Sequence, residues 1–278
     1  MLLLIMYLDL SNENLTAVPF IDSDVTELNL SDNKIKKIPK GCFPKGLQTL
    51  WLNNNEITEI SSDCFPAGLE RLNLSNNNIT ILTPNSFPSK LYELDINNNN
   101  ITKLVPNCFP SELCILSMNN NNITKLVPNC FPSELKHLFL NENKITKLVP
   151  NCFPPKLNIL LMKNNFITKL PKNCFQSKLE WLLLCGNNIT HLTPNCFPNE
   201  LTNLSLNINK FSNICEGCFP PQLKKLWLVD SEMKKIIQNF IPQNLETLYL
   251  NNNKVSVDNM KRTRDDEHVT PNKKAKIY

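Results

Sequence analysis

Residues 113–134 read LCILSMNNNNITKLVPNCFPSE and residues 135–156 read LKHLFLNENKITKLVPNCFPPK, the same phrase repeated at a spacing of 22. The first leucine-type position of the phrase falls at Val25, Leu47, Leu69, Leu91, Leu113, Leu135, Leu157, Leu179, Leu201, Leu223 and Leu245, so eleven units share one register without an insertion. A shorter unit beginning near Ile5 brings the expected total to twelve. Such a period marks a stack of small units, none of which can bury its apolar face without its neighbours.

Within a unit, Leu138-Phe139-Leu140 or Leu182-Leu183-Leu184 shows the two-residue alternation of a short strand. Stacking then places the strands about 4.8 Å apart in a parallel sheet whose alternate leucines point inward. An Asn follows at a constant place, from Asn33 through Asn209 and again at Asn253, where the chain leaves the sheet and carries backbone polar groups inside. A buried amide side chain can satisfy those groups and bridge neighbouring turns. Ile79 and Leu82, or Ile145 and Leu148, then turn back into the core. The second half of the unit reads PNCFP, as at Pro106–Pro110, and two prolines within five residues exclude a regular helix. Extended or short 3₁₀ backbone is expected there. A Phe column at 43, 65, 87, 109, 131, 153, 175, 197 and 219 should stack as an apolar spine.

The phrase LxxLxLxxNxIxxL resembles the leucine-rich repeat over about nine tenths of the chain. The PNxFPxxL half is similar to the proline-containing repeats of bacterial effectors and to the FNIP-type repeats of social amoebae. With its Asn-Asn tracts and abundant Ile and Lys, the whole looks like the repeat proteins of amoeba-infecting giant viruses. The resemblance implies an α/β-type solenoid, mostly β, shaped as a horseshoe of about 12 repeats, with a concave strand face that binds other proteins and repeats without catalytic residues. Glu13 and Ser231 depart from the pattern where Asn is expected, and Phe240-Ile241 stands in place of Cys-Phe. The solenoid is expected over residues 1–256.

Composition excludes several classes. The opening MLLLIM lacks a basic start, its apolar run is short, and Leu8 and Leu10 already fit the strand register, so neither a signal peptide nor a membrane span is expected. The expected location is intracellular, in host cytoplasm or nucleus. Eight of the eleven cysteines occupy one repeat position, Cys42, Cys64, Cys108, Cys130, Cys152, Cys174, Cys196 and Cys218, with Ser86 in the gap. Parallel Cβ vectors in such a column oppose disulfide bridging, and buried free thiols are expected. A single CxxC, Cys215 and Cys218, has no second pair or suitably spaced His, so no metal is expected. Sequons such as Asn78-Ile79-Thr80 and Asn188-Ile189-Thr190 arise from the repeat itself. With three histidines and five glycines, no phosphate loop or nucleophilic arrangement emerges; Cys185 and His137 stand two repeats apart, roughly 10 Å. The expectation is a non-enzyme with no cofactor.

What the fold leaves free are the outward positions of each strand. One column reads Ile115, His137, Ile159, Trp181 and the next Phe139, Leu161, Leu183, a grouped apolar patch of the kind soluble proteins keep for partners. Trp227 with Lys224, Lys225 and Val229 forms a second candidate, Trp51 stands alone, and Glu70, Glu93 and Asp95 make the N-terminal half of the face acidic. An unidentified protein is the expected partner, with no membrane involved. Lys103, Lys125, Lys147 and Lys169 form a one-sign column read as a solvated edge, because interleaved aromatics are missing; nucleic acid is not the expected partner. The alternative is a nuclear or nucleic-acid-associated accessory protein that uses this column and the tail. Residues 257–278 read as a disordered basic tail in which Lys261-Arg262 and Lys273, Lys274 and Lys276 resemble a bipartite motif for a nuclear import receptor.

Overall fold

The computed structural model describes residues 6–175, 178–211, 213–214, 216–231, 235–236, 241–250, 253 and 276–277. Its strands are β1 (Tyr7–Asp9), β2 (Glu27–Asn29), β3 (Thr49–Trp51), β4 (Arg71–Asn73), β5 (Glu93–Asp95), β6 (Ile115–Ser117), β7 (His137–Phe139) and β8 (Ile159–Leu161). There follow β9 (Trp181–Leu183), β10 (Asn203–Ser205), β11 (Asn213–Ile214), β12 (Lys225–Trp227), β13 (Lys235–Ile236), β14 (Thr247–Tyr249) and β15 (Lys276–Ile277). One parallel sheet runs β1 to β10, then β12, β14 and β15; β11 and β13 pair separately. Among the described residues no helix occurs. From β2 to β14 each strand of the large sheet pairs with the equivalent residue of the next repeat, as in Leu116↔Leu138 and Leu138↔Leu160. Tyr7 pairs with Glu27, so the first unit is two residues shorter than the rest.

The central leucine of each strand from β2 to β14 is buried, and Leu, Ile and Phe from every turn join it in one continuous core. The Asn column ties the turns together. Asn77 donates from Nδ2 to the Leu52 carbonyl of the preceding turn at 2.9 Å and to its own turn's Leu74 carbonyl at 3.1 Å. Its Oδ1 accepts the Ile57 amide of the preceding turn at 2.9 Å. The same bonds recur at Asn55, Asn99, Asn121, Asn143, Asn165, Asn187 and Asn209. At Ser231 the hydroxyl replaces the amide's donor, reaching the Leu206 carbonyl at 3.2 Å. It supplies no acceptor arm, and the Phe211 amide bonds instead to the Ser231 backbone carbonyl at 3.1 Å.

The convex side is extended backbone broken by turns; no 3₁₀ segment occurs among the described residues. In Val105-Pro106-Asn107-Cys108 the Cys108 amide donates to the Val105 carbonyl and Asn107 has φ 64°. Pro at the second position and a left-handed Asn at the third is the signature of a type II turn. The left-handed residue recurs at Gly41, Asp63, Asn85, Asn129, Asn151, Asn173, Asn195 and Gly217. A second left-handed column precedes the ladder Asn, at Asp32, Asn54, Asn76, Asn98, Asn120, Glu142, Asn164, Gly186, Ile208 and Asp230. Asn dominates both columns because its short amide tolerates that backbone. At Gly186 a Cβ would stand 2.0 Å from the Asn164 amide oxygen, so a side chain there would have to displace the Asn164 side chain.

The Phe spine stacks in two runs, Phe43 to Phe131 and Phe153 to Phe219, with neighbouring ring centroids 5.8–6.3 Å apart and nearly parallel planes. Beside it the thiols of Cys64, Cys108, Cys130, Cys152, Cys174 and Cys196 are buried and free. Loss of hydration on burial pushes Cys64 and Cys130 up to about 12 and Cys108, Cys152 and Cys196 up to about 11. Cys218 differs from the expected free thiol, being disulfide-bonded.

Candidate partner-binding face

The outward residues of the strands form two columns whose neighbours are fixed by the pairing register. In the first, Ile115, His137, Ile159 and Trp181 stand opposite one another across β6 to β9. In the second, Phe139, Leu161 and Leu183 do the same across β7 to β9. The seven side chains are therefore contiguous on one face. Six are half-buried, and Trp181 is 41% exposed. Lys136, Lys163 and Glu180 border the patch and are exposed.

Toward the C-terminal end Trp227 stacks on Tyr249 with centroids 5.6 Å apart and planes 4° from parallel. Tyr249 did not emerge from the sequence, although the 22-residue spacing places it directly beyond Trp227. Trp51, expected to stand alone, meets Tyr7 edge to face at 6.2 Å and 81°. Tyr92, exposed at the edge of β5, adds a further ring. Both ends of the face thus carry aromatic pairs, with the aliphatic and aromatic patch between them.

Charge on the face is polar along the stack. Glu93 reaches Arg71 of the preceding strand at 3.8 Å, and Glu70 is exposed beside them. Asp95 accepts the Asn97 amide at 2.9 Å, yet burial raises its carboxyl above the ordinary range, helped by the Glu93 charge. Lys136, Lys163, Lys224 and Lys225 lie exposed in the C-terminal half. Cys185 is half-buried, and desolvation raises its thiol despite a hydrogen bond from Ser205. The Lys163 charge also favours the thiolate without overcoming that burial, and among the described residues no cluster of His, Cys, Asp or Glu fit to hold a metal occurs.

On the opposite side a groove of about 770 Å³ lies over Phe87, Phe109, Phe131 and Phe153, flanked by Asn107 and Asn129. Its walls are the recurring turn residues, so its chemistry repeats from one turn to the next. Lys261, Arg262, Lys273 and Lys274 of the import motif lie outside the described residues. Lys276 is placed by its backbone alone, in β15 beside Thr247 of β14. Among the described residues no helix is long and apolar enough to cross a membrane.

Comparison with known proteins agrees with this architecture. A leucine-rich-repeat model matches residues 23–67, 45–88 and 89–133, a second matches 178–199, and an FNIP-repeat model matches 211–253. No curated protein sequence matches the chain. Among solved structures it is similar to CroV588, a circular leucine-rich-repeat protein of a giant virus, with TM-score 0.68 and 21% identity over 88% of this chain and 40% of that one. It is similar also to the TLR13 chain of a TLR13–ssRNA13 complex, with TM-score 0.74 and 25% identity over 88% of this chain and 39% of that one. A third is a chain from the octameric complex of Latrophilin 3, Unc5D and the leucine-rich-repeat domain of FLRT2, with TM-score 0.62 and 22% identity over 87% of this chain and 80% of that one. The chain therefore spans about two fifths of the first two. With its 22-residue register, its parallel sheet and its matched repeats, the chain belongs to the leucine-rich-repeat proteins, and its C-terminal turns are of the FNIP type.

Proposed function

We propose that the protein is a non-enzymatic interaction scaffold that holds a protein partner on its strand face, the concave side of the solenoid. The observation that carries this reading is the register across β6 to β9, which joins Ile115, His137, Phe139, Ile159, Leu161, Trp181 and Leu183 into one patch. These positions are not dictated by the core, since the equivalent outward residues of other turns include Asn29, Thr49, Arg71, Glu93, Ser205, Lys225 and Thr247 as well as the aromatic residues at the two ends. Grouping the apolar ones on neighbouring turns costs solubility, and an occupied surface offsets that cost. Trp181 and Phe139 supply the anchors, and Trp227 with Tyr249 extends the contact toward the C-terminal end. Leucine-rich-repeat chains of similar fold are found in protein complexes, which supports the same reading.

Electrostatics add a direction. A partner lying along the stack meets carboxylates over β4 and β5 and lysines around β12, so its own basic end belongs over Glu70, Glu93 and Asp95. The test is quantitative proximity labelling in the native cell, comparing the wild-type chain with a Trp181→Ala, Phe139→Ala variant of unchanged melting temperature. A set of labelled proteins lost in the variant is expected. An identical set from both chains overturns the assignment of the patch.

A further inference from the structure

After the ladder Asn, each turn passes along the flank of the solenoid through Ile-Thr-Lys-Leu or a close variant. This flank carries a second, fragmentary parallel ladder: Lys125 pairs with Lys147, and Asn213 of β11 with Lys235 of β13, all at the same repeat position. The Thr146 amide bonds to the Thr124 carbonyl within it. Lys103, Lys125, Lys147 and Lys169 are therefore stacked side by side, all exposed, and the column continues in His191. The adjoining column is Thr80, Thr102, Thr124, Thr146, Thr168 and Thr190, exposed through Thr168. From Lys103 to His191 the stripe runs four steps, about 19 Å.

Earlier in the molecule the same flank is neutral by construction. Lys36 pairs with Glu56 of the next turn at 3.4 Å, and Lys40 with Asp63 at 3.5 Å. The other ion pairs among the described residues, Arg71 with Glu93 and Lys156 with Glu134, also bridge successive turns. None involves Lys103, Lys125, Lys147 or Lys169. The segments 100–107, 122–129, 144–151, 166–173 and 188–195 contain no Asp or Glu, while Lys144 and Lys172 add to the charge. Where cross-turn neutralisation was available, the central flank omits it. In the column of Lys144 the next turn places Phe166, 52% exposed, on the same turn as Thr168 and Lys169. Reading the edge as solvated because it lacked aromatics overlooked this ring.

We infer that this flank is a binding site for the backbone of single-stranded nucleic acid, with Lys103, Lys125, Lys147 and Lys169 neutralising phosphates, the threonine hydroxyls donating to phosphate oxygens and Phe166 stacking on one base. Lysines and hydroxyls are the groups that position a phosphate chain. The stripe is narrow, and a stacking ring finds a free base face only on an unpaired strand. Sequence preference is absent, because nothing in the stripe reads a base edge. The site is separate from the strand face and stands independently of the scaffold reading.

The test uses the full chain and a fluorescein-labelled oligo(dT) of twelve nucleotides, followed by fluorescence anisotropy across a salt series. Four neutralised phosphates give a slope of about −3 in log affinity against log salt, at about −0.7 per phosphate. Lys125→Gln with Lys147→Gln lowers that slope by about 1.4, and Lys125→Arg with Lys147→Arg restores it. Phe166→Ala weakens binding roughly tenfold with the slope unchanged. Lys36→Gln with Lys40→Gln, at the neutralised part of the flank, changes neither. The basic tail is common to all variants and cancels in the comparison. The proposal is overturned if the Lys125/Lys147 glutamine variant binds like wild type, if a duplex of equal length binds more tightly, or if a polyglutamate peptide of equal charge competes as well as the oligonucleotide.

Discussion

Asn is the residue on which this fold turns, and it serves in two unlike capacities. In the ladder it is a buried amide with both ends bonded; in the two left-handed columns it is an exposed residue chosen for its backbone. Ile208 breaks the second rule, with φ 54° and 59% of its surface exposed. A β-branched residue pays heavily for that conformation. Ile208→Asn should therefore stabilise the chain by about 1 kcal/mol, read as a rise of roughly 2–4 °C in melting temperature. Asp95 offers a second test. Its carboxyl is raised above its unfolded value by burial, so the protonated form is favoured in the fold; stability is full below the unfolded value near 4 and falls as pH climbs through the folded one. Asn73, at the same place one turn earlier, makes the same bond to the following amide without a charge, 2.9 Å to Ser75. Asp95→Asn should raise the melting temperature at pH 7 and leave it unchanged at pH 3. A gain that persists at pH 3 would show that charge is not the cause.

At the scale of the strand and the turn, the sheet was legible in the sequence because one period fixes register, and register fixes which leucine meets which. The same logic made the columns Ile115 to Trp181 and Phe139 to Leu183 readable. Ring geometry was not, since Trp227 on Tyr249 or Trp51 against Tyr7 depends on rotamers that no spacing encodes. The convex side could have been read further: Pro-Asn is itself the signature of a type II turn, but the prolines drew the expectation toward extended or 3₁₀ backbone. The flank ladder of Lys125 and Lys147 is too short to announce itself, because it exists only through its neighbours. Two replacements measure these elements. Asn143→Ala leaves the Ile123 amide and the Met118 carbonyl without their partners, 3.1 and 2.9 Å from the side chain, and should cost about 3 kcal/mol in chemical denaturation. Phe131→Ala empties a ring that is 8% exposed and should cost about 3–5 kcal/mol. A cost below 1 kcal/mol for either would show that neighbouring turns relax to fill the place.

For the whole molecule, the thiol column makes stability depend on alkali. Cys64, Cys108, Cys130, Cys152 and Cys196 have folded values of about 11 to 12, above the unfolded value near 9. Their contribution is present below pH 9 and is lost as pH rises through 11 to 12, when buried thiols must ionise. Circular dichroism melts from pH 8 to 12 should show this decline. Replacing Cys108, Cys130 and Cys152 by Ser, the residue that Ser86 provides in the same column, should flatten it. An unchanged alkaline limb would assign the decline to lysine and tyrosine titration instead.

The ladder also gives the stack a direction. Each ladder Asn reaches across to backbone groups of the turn before it, so within this column the cross-turn bonds all run one way. Asn253 performs this for the last strands, accepting the Ser231 amide and donating to the Leu228 carbonyl. Loss of the turn that carries Asn253 would uncover the Ser231 amide and the Leu228 carbonyl inside its neighbour. The amide column is thus a directional seam beside a sheet whose own bonds pass both ways.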